Sequence, residues 1–179
     1  MKLAITINND VAKSDLAAYV QIVFDTKYML ENVKIKKKND DSLYVIFPSK
    51  VQKNGTIREI FHPTTMNARI HLDDAILQAY YNKKKNHEKT TIFQNEERLS
   101  ISSVNCGQYE KSNVIGIANI ELSNCYAVKD VQIKINQDDE EYIDMPKYYT
   151  KSGYKEIFKP LTDEALEFNQ CILNAFHSI

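Results

Sequence analysis

The order of hydrophobic and polar residues at the start of the chain predicts a meander of β-strands. Residues 3–8 and 16–24 are rich in β-branched and aromatic residues and are separated by Asn9-Asp10, so both segments are predicted as strands. The polar run 39–42 supplies turn residues, and residues 43–47 return as a further strand. These segments predict a small antiparallel sheet.

Between the second segment and that turn, a strand that begins near Tyr28 carries a regular alternation. Val33 and Ile35 alternate with three lysines, Lys34, Lys36 and Lys38. Because successive side chains of a strand point to opposite faces, the apolar groups are expected on one face and the lysines on the other. Two interpretations of the lysine face remain open: the solvated side of a hairpin, or a surface that binds an anionic partner.

A helical period follows each of two later prolines, Pro63 and Pro160. In the first case the apolar positions are Ala68, Leu72, Ala75, Ile76, Ala79 and Tyr80, and in the second they are Ala165, Phe168, Ile172, Ala175 and Phe176. Thr162, followed by two acidic residues, is predicted to start the second helix. The polar stretch 82–97 is either a loop or a helical extension.

The chain repeats itself. Residues 58–63 read Arg-Glu-Ile-Phe-His-Pro and residues 155–160 read Lys-Glu-Ile-Phe-Lys-Pro. Behind each segment stand a proline and a glycine at equal spacing, Pro48 with Gly55 and Pro146 with Gly153. The counterparts of the first two strands fall at about 99–105 and 114–122. Such self-similarity predicts a tandem duplication, and two copies favour a fused pseudo-dimer over a solenoid.

The predicted fold is therefore α+β, with two related modules that each combine a small antiparallel sheet and one C-terminal helix. The predicted boundaries are 1–86 for the first module, 87–98 for a linker and 99–179 for the second module. We expect the modules to pair within the chain, face to face or edge to edge. Sedimentation is then expected to show a monomer of 20.7 kDa.

Composition narrows the class of protein. The chain is 43% hydrophobic and 26% charged, which is ordinary for a globular protein. No apolar run approaches the roughly 20 residues of a membrane span, and the first residues lack a signal-peptide pattern, so a cytoplasmic protein without membrane contact is expected. Its three cysteines support neither a disulfide framework nor a zinc cluster. No cofactor, metal or catalytic motif is recognised, and an enzyme is not expected.

Charge is distributed unequally. Residues 1–90 hold 15 basic and 10 acidic residues, whereas residues 91–179 hold 8 basic and 14 acidic residues. An excess of positive charge in one half is typical of a surface that binds nucleic acid. It is equally what two complementary subunits fused together would show. The acidic run 138–141 is interpreted as a solubilising turn, with a divalent cation as the alternative.

An ordered set of residues in the first copy resembles a known family. The set comprises Phe47-Pro48-Ser49-Lys50, Gly55, Arg58, Ile60, His62-Pro63, Arg69, Ala75-Ile76-Leu77 and Tyr80. Together these residues resemble the SpoVG family of bacterial sporulation and septation regulators, over about residues 3–82. The second copy, about 99–177, is a diverged repeat in which Lys159 replaces His62 and Lys147-Tyr148 replaces Ser49-Lys50.

The resemblance implies a DNA- or RNA-binding regulator, because family members are described as small homodimeric nucleic-acid-binding proteins. Here the second copy would replace the dimer partner and act mainly as a structural partner. The candidate binding residues lie in the basic first module: Lys34, Lys36, Lys38, Lys50, Lys53, Arg58, His62 and Arg69. The family match supports Lys50, Arg58, His62 and Arg69, and charge pattern alone supports the lysines at 34–38.

Other interpretations remain open. His62 is favoured as a residue that holds the strand-to-helix junction, with phosphate contact as the alternative. For the whole chain, the alternative function is a protein-interaction module that kept the fold and lost nucleic-acid binding. The near-neutral total charge and the eleven tyrosines favour that alternative.

Overall fold

A computed structural model describes residues 1–8, 15–95 and 98–179. The first copy forms β1 (Lys2–Asn8), β2 (Leu16–Phe24), β3 (Tyr28–Lys37), β4 (Leu43–Ile46), β5 (Ser49–Val51), β6 (Ile57–Glu59), β7 (Phe61–Pro63), α1 (Met66–Asn86) and β8 (Thr90–Gln94). The second copy forms β9 (Ile101–Lys111), β10 (Val114–Leu122), β11 (Tyr126–Ile135), β12 (Glu141–Asp144), β13 (Lys147–Thr150), β14 (Gly153–Glu156), β15 (Phe158–Pro160) and α2 (Ala165–Phe176). Apart from β8, the elements recur in the same order, which confirms the α+β duplication.

Each copy builds an antiparallel meander. In the first sheet β2 lies between β1 and β3, and in the second sheet β10 lies between β9 and β11. The alternation predicted for β3 is confirmed, because Val33 and Ile35 are fully buried and Lys34 and Lys36 lie on the opposite face. The turn predicted at Asn9-Asp10 lies outside the described residues.

The two sheets exchange strands. β7 of the first copy pairs with β11, where Phe61 lies opposite Val128, and β15 of the second copy pairs with β3, where Phe158 lies opposite Leu30. Each sheet is thus completed by a short strand from the other module. The prediction of pairing within the chain is confirmed, and the modules pair by exchanging these two strands.

The Glu-Ile-Phe run, which follows turn residues at Asn54-Gly55 and ends at a proline, predicts one short strand from the sequence, and that prediction is wrong. The strand breaks at Ile60, which is buried and whose backbone N–H donates to the carbonyl of Pro48 at 2.8 Å. The equivalent bond joins Ile157 to Pro146 at 2.7 Å. This break leaves β6 in a separate hairpin with β5 and sends β7 to the other module; β14 and β15 separate in the same way.

Aromatic rings join the modules in one continuous core. Phe61 and Phe158, the first residues of the exchanged strands, stack with ring centroids 6.1 Å apart and planes 15° apart. Around Phe61 lie three further rings, those of Phe24, Phe47 and Tyr126, and around Phe158 lie those of Tyr28 and Phe168. Burial of such rings is the main stabilising contribution available to modules of this size.

Helix α1 resolves the alternatives left for residues 82–97. Thr65 caps its start by accepting a hydrogen bond from the Ala68 N–H at 3.2 Å. The helix continues to Asn86 and ends at His87, which adopts a left-handed conformation with φ of 60°. The predicted linker 87–98 then contains β8, which pairs with β1, while residues 96–97 lie outside the described part.

Helix α2 begins later than predicted. Thr162 does not start it: residues 162–164 form a turn, and the helix begins at Ala165. The residue at the cap position, Glu164, makes no capping bond with its side chain, and its carboxylate lies 2.9 Å from the ammonium of Lys27 in the other module. In the part of the chain described, neither helix is long and apolar enough to cross a membrane.

Candidate nucleic-acid interface

A groove of about 820 Å³ lies between the two modules. One wall is the outer face of the first sheet, and the other is the β13–β14 hairpin of the second module. We call this feature the composite groove; the residues that matter for its chemistry are Tyr19, Gln21, Glu31, Lys34, Lys89, Tyr148, Tyr149, Lys151 and Lys155. Neither module contains both walls.

The sheet wall presents a row of polar and aromatic side chains. Tyr19 on β2 lies directly opposite Asn8 on β1 and Lys34 on β3. Residues that are directly opposite in antiparallel strands project to the same face, so the three side chains form a row across the sheet. Tyr19 keeps 37% of its surface exposed and is accessible from the groove.

The hairpin wall has two faces: Tyr148 and Lys155 are paired on the face toward the sheet, and Tyr149 and Tyr154 are paired on the other face. Tyr149 on β13 pairs with Tyr154 on β14, and their rings meet edge to face with centroids 5.4 Å apart. The two side chains are 73% and 74% exposed. The hairpin, residues 147–156, contains three lysines, three tyrosines and one carboxylate, that of Glu156. The hairpin is therefore locally basic although its module is acidic as a whole.

A hydrogen-bonded latch fixes the hairpin against the sheet. The phenol of Tyr148 donates to Glu31 at 2.9 Å, and the other carboxylate oxygen of Glu31 accepts from Gln21 at 2.9 Å. Burial raises the pKa of the Tyr148 phenol, and the bond to Glu31 raises it further. The phenol remains a donor throughout the physiological pH range, so the latch holds the two walls at a fixed distance.

The lining of the composite groove carries a positive charge. Among the described lining residues are four lysines, Lys34, Lys89, Lys151 and Lys155, and one carboxylate, that of Glu31. Within the described residues, Lys89, Lys151 and Lys155 form no ion pair with an acidic side chain. Glu31 is already engaged by Tyr148 and Gln21, so Lys89, Lys151 and Lys155 are exposed to the solvent and to any anion that enters the groove.

The position equivalent to the composite groove, with the roles of the two modules exchanged, has different side chains. There the β5–β6 hairpin faces the second sheet, and the guanidinium of Arg58 binds Asp130 at 3.0 Å and Asn119 at 3.4 Å. Val51 and Ile57 occupy the places of Tyr149 and Tyr154 and are 69% and 72% exposed. The same arrangement of a hairpin against a sheet therefore occurs twice, and the exposed aromatic pair occurs on the β13–β14 hairpin.

The three predicted lysines of β3 differ in their surroundings. Lys34 lines the composite groove. The ammonium of Lys36 lies 2.6 Å from the carboxylate of Asp15, and that of Lys38, beyond the end of the strand, lies 5.8 Å from the centre of the Tyr44 ring. Lys34 is consequently the member of this predicted set that joins the groove.

The predicted residues of the first hairpin lie apart from Lys34. Lys50 pairs with Arg58 across β5 and β6, and Lys53 occupies the exposed turn between these strands. Arg58 is held by the second module through Asp130. The prediction grouped these side chains with Lys34 in one module, but the strand exchange turns this hairpin toward the other sheet.

The side chains of Arg69 and His62 are engaged in contacts within the fold. Arg69 on α1 donates to Asp73 at 2.8 Å and to the carbonyl of Val45 at 3.2 Å, with its guanidinium 4.8 Å from the centre of the Phe47 ring. His62 lies on the exchanged strand β7, where burial and then the charge of Lys129 lower its pKa. The imidazole is therefore neutral at pH 7 and supplies no cation there.

One carboxylate of the second module, that of Asp144, binds two lysines. Lys134, the counterpart of Lys36, binds Asp144 at 2.6 Å, and Lys147 binds the same carboxylate. Burial alone would raise the pKa of Asp144, but the bonds from the two lysines outweigh it and lower the pKa below its usual value.

Replacing Asp144 with asparagine tests this cluster. A lowered pKa stabilises the folded state above the ordinary carboxyl pKa, and the contribution is lost as pH falls through the folded-state value. We expect Asp144→Asn to reduce the free energy of unfolding by about 1–2 kcal/mol at pH 7. Urea titrations at pH 7 and pH 3 should show the difference shrinking at pH 3; an unchanged difference would contradict the assignment.

The acidic residues 138–141 take part in local hydrogen bonds and an ion pair around their own turn. The side-chain oxygen of Asn136 accepts from the N–H groups of Asp138 and Glu140, both at 2.9 Å, and Glu141 binds His177 beyond α2 at 2.6 Å. Across the described ranges, no group of three or more histidine, cysteine or acidic side chains is arranged to hold a metal ion.

Comparison with known proteins agrees with the duplicated fold. The profile of the SpoVG family matches residues 1–82 and again residues 99–178. The chain belongs to the SpoVG family. It carries two SpoVG modules, and the composite groove is formed between the sheet of one module and the hairpin of the other.

Relatives correspond in length to a single SpoVG module. A septation protein SpoVG of Treponema denticola is 36% identical over 84 residues, which is 47% of this chain and 82% of the relative. The septation proteins SpoVG of Archaeoglobus fulgidus and Bdellovibrio bacteriovorus are 29% and 32% identical, over 42% and 46% of this chain and 88% and 75% of their own lengths. Two relatives placed end to end would span this chain.

Most residues of the composite groove between the two SpoVG modules were not predicted from the sequence. Tyr149, Lys151 and Lys155 were passed over because the second module is acidic on average. The signal is present in residues 147–156, where three lysines and three tyrosines accompany one carboxylate. A charge count over ten residues instead of ninety identifies the hairpin.

Proposed function

We propose that the chain is a nucleic-acid-binding regulator and that the composite groove is its binding surface. The observation that carries the proposal is the groove lining: among its described residues, three lysines without an ion pair, Lys89, Lys151 and Lys155, lie with one carboxylate that is already engaged. Cations along a surface bind nucleic acid by displacing the counterions of its phosphates. Membership of the SpoVG family supports the same class of ligand, and the names of the relatives suggest septation as the regulated process.

The proposal revises where binding occurs. The first module contributes Lys34 and Lys89, and the second contributes Lys151 and Lys155. The second module is then part of the binding surface as well as the structural partner of the first. Arg58 and Arg69 are assigned to structure, because each is engaged by carboxylates of the folded chain.

Replacing Lys151 and Lys155 together with alanine tests the site. For a single-stranded ligand, each phosphate contact contributes about 0.7 to the slope of log affinity against log salt, so the double variant should reduce that slope by about 1.4 and weaken binding at all salt concentrations. Fluorescence anisotropy with labelled DNA and RNA of mixed sequence, between 50 and 200 mM salt, measures both quantities.

A matched control lies on the other hairpin. Lys50 and Lys53 are exposed, form no ion pair within the described residues and belong to β5 and its turn, so Lys50→Ala with Lys53→Ala removes the same charge from the equivalent element. Binding is expected to persist in this variant. Loss of binding here, and not in the first double variant, would place the interface on the first hairpin. A parent chain that binds neither DNA nor RNA at low salt would refute the function.

The alternative, a protein-interaction module, is favoured by one edge of the second sheet. β9 ends the strand order of that sheet, whereas its counterpart β1 is covered by β8. An uncovered edge strand is a site at which a partner strand adds to a sheet. Under this alternative, binding of a protein partner should survive the change of Lys151 and Lys155.

A further inference from the structure

We infer that the outer edge of β9 binds an extended peptide of a protein partner, which adds to the second sheet as an antiparallel strand and places an apolar side chain against α2. This is a second site, separate from the composite groove, and it does not depend on the binding of nucleic acid. Three observations carry it: the open edge of β9, the incomplete burial of its inner face, and the way in which β8 covers the equivalent edge of the first sheet.

The edges of the two sheets differ. β1 pairs with β2 on one side and with β8 on the other, over five residue pairs. β9 pairs with β10, and within the described residues no strand pairs with its other side. With 11 residues, β9 is also the longest strand of the described structure. A long row of backbone N–H and C=O groups is therefore available to a further strand.

The inner face of β9 is less buried than that of β1. In β1, Ile5 and Ile7 point to the core and are fully buried. Their counterparts in the register of the second sheet, Val104 and Cys106, are half-buried. Helix α2 lies over this face, since the sulfur of Cys106 is 3.8 Å from the carbonyl oxygen of Ile172. A strand added at the edge would exclude water from both half-buried side chains, which favours binding.

β9 lacks the features that keep edge strands from pairing. Natural edge strands are typically protected by lysine, by proline or by a charge that points inward. Residues 99–109 contain no charged residue and no proline, although 26% of the chain is charged. Gly107, in the interior of β9, has no heavy atom within 4 Å of the position that a Cβ would occupy. A glycine in such a position is typical of a place where another backbone approaches closely.

β8 shows which kind of strand fits. It runs antiparallel to β1 and is joined to it by backbone bonds such as that from the Ile7 N–H to the carbonyl of Lys89 at 3.0 Å. Phe93 lies opposite Leu3 and packs on the core, whereas Ile92 is 59% exposed on the other face. The ligand of β9 is accordingly an extended segment with an aromatic or branched apolar residue on its inward side.

A segment of a protein partner fits this edge better than a second copy of the chain. The strands that complete edges in this fold are short, with three residues in β7 and β15 and five in β8. A segment of that length obtains its backbone bonds from β9 and its apolar contact from α2 at one site. Two whole chains joined at β9 would share a single pair of strands, whereas stable dimers bury roughly 1,200–2,000 Å².

A peptide with the sequence of β8 serves as the probe. Residues 88–95, labelled with fluorescein, are added to the full chain, and fluorescence anisotropy measures binding. Saturable binding is expected, and Phe93→Ala in the probe should weaken it at least about tenfold, because the apolar contact with the inner face is lost.

Methylation of the probe backbone distinguishes strand addition from an apolar contact alone. In an added strand, alternate N–H groups point to β9 and the remaining ones point to the solvent. A probe methylated on the first set of nitrogens should not bind, and a probe methylated on the second set should bind like the parent probe.

Hydrogen exchange locates the bound probe on the chain. Mass spectrometry should show slower exchange of the amides of residues 101–109 when the probe is present. Val104→Ala, which reduces the inner face of β9, should weaken binding at least about threefold. The matched control, Ile92→Ala, removes an exposed side chain from the edge strand of the first sheet and should leave the affinity unchanged. Thermal unfolding of both variants verifies that the fold is kept.

The outcomes are decisive in each direction. Absence of saturable binding, equal loss of affinity with both sets of methyl groups, or slower exchange in β1 in place of β9 would overturn the inference. A full chain that sediments as a dimer, with residues 101–109 already protected before the probe is added, would assign the edge to a second copy. The change of Lys151 and Lys155 should leave probe binding intact, so the nucleic-acid proposal and this inference fail or succeed in separate measurements.

Discussion

Replacing Phe61 with alanine is expected to lower the free energy of unfolding of the whole chain by about 3–5 kcal/mol. The ring is fully buried, stacks on Phe158 and packs against three other rings. Because Phe61 belongs to the strand that completes the second sheet, the cavity would open in the core that both modules share. A loss of this size is a large fraction of the stability of a typical domain.

Urea unfolding followed by circular dichroism measures the effect. One cooperative transition is expected for the parent and for Phe61→Ala, with the midpoint of the variant at lower urea. Val51→Ala, which removes an exposed side chain from the neighbouring hairpin, serves as the control and should leave the midpoint in place. Two separate transitions, with one shifted, would contradict a shared core.

Separating the modules is expected to abolish the monomeric fold. A fragment of residues 1–95 retains β8 on β1 but lacks β15, which pairs with β3, and β11, which pairs with β7. The open edge of β3 and the displaced β7 then have one way to pair, which is with a second copy of the fragment. The fragment should therefore dimerise by exchanging β7, or fail to fold.

Sedimentation equilibrium distinguishes these results. The full chain is expected to sediment as a monomer of 20.7 kDa, with the second module in the place of a dimer partner. The fragment 1–95 should sediment as a dimer, or should give the circular dichroism spectrum of an unfolded chain. A fragment that is folded and monomeric would show that the strand exchange is dispensable for the first module.

Most of the fold could be predicted from local pattern. The alternation around Val33 and Ile35 and the helical stripe from Ala68 to Tyr80 each placed an element and its buried face correctly. The strand exchange could not be predicted, because residues 57–63 read as one extended segment. Its break at Ile60 depends on a backbone bond to Pro48 and on the position of the other module, and neither leaves a trace in the local sequence.

Fewer residues of the candidate site could be predicted from the sequence. Lys34 was identified from its alternation, but Tyr149 and Lys155, on the opposite wall, are far from it in the chain. Arg58 and Arg69 have the chemistry that binds phosphate, and only the folded structure reveals that Asp130 and Asp73 already engage them. A site assembled from two modules becomes visible when the pairing of those modules is known.

The exchange of short strands also sets the order of events during synthesis. Leu30 pairs with Phe158, so the first sheet stays incomplete until the ribosome has made almost the whole chain. At about 5–20 residues per second, this interval is roughly 6–25 s. During it, the nascent first half exposes the open edge of β3 and the ring of Phe61 to other chains on the same message. Covalent attachment of the second half gives each growing chain its own partner as soon as that partner emerges.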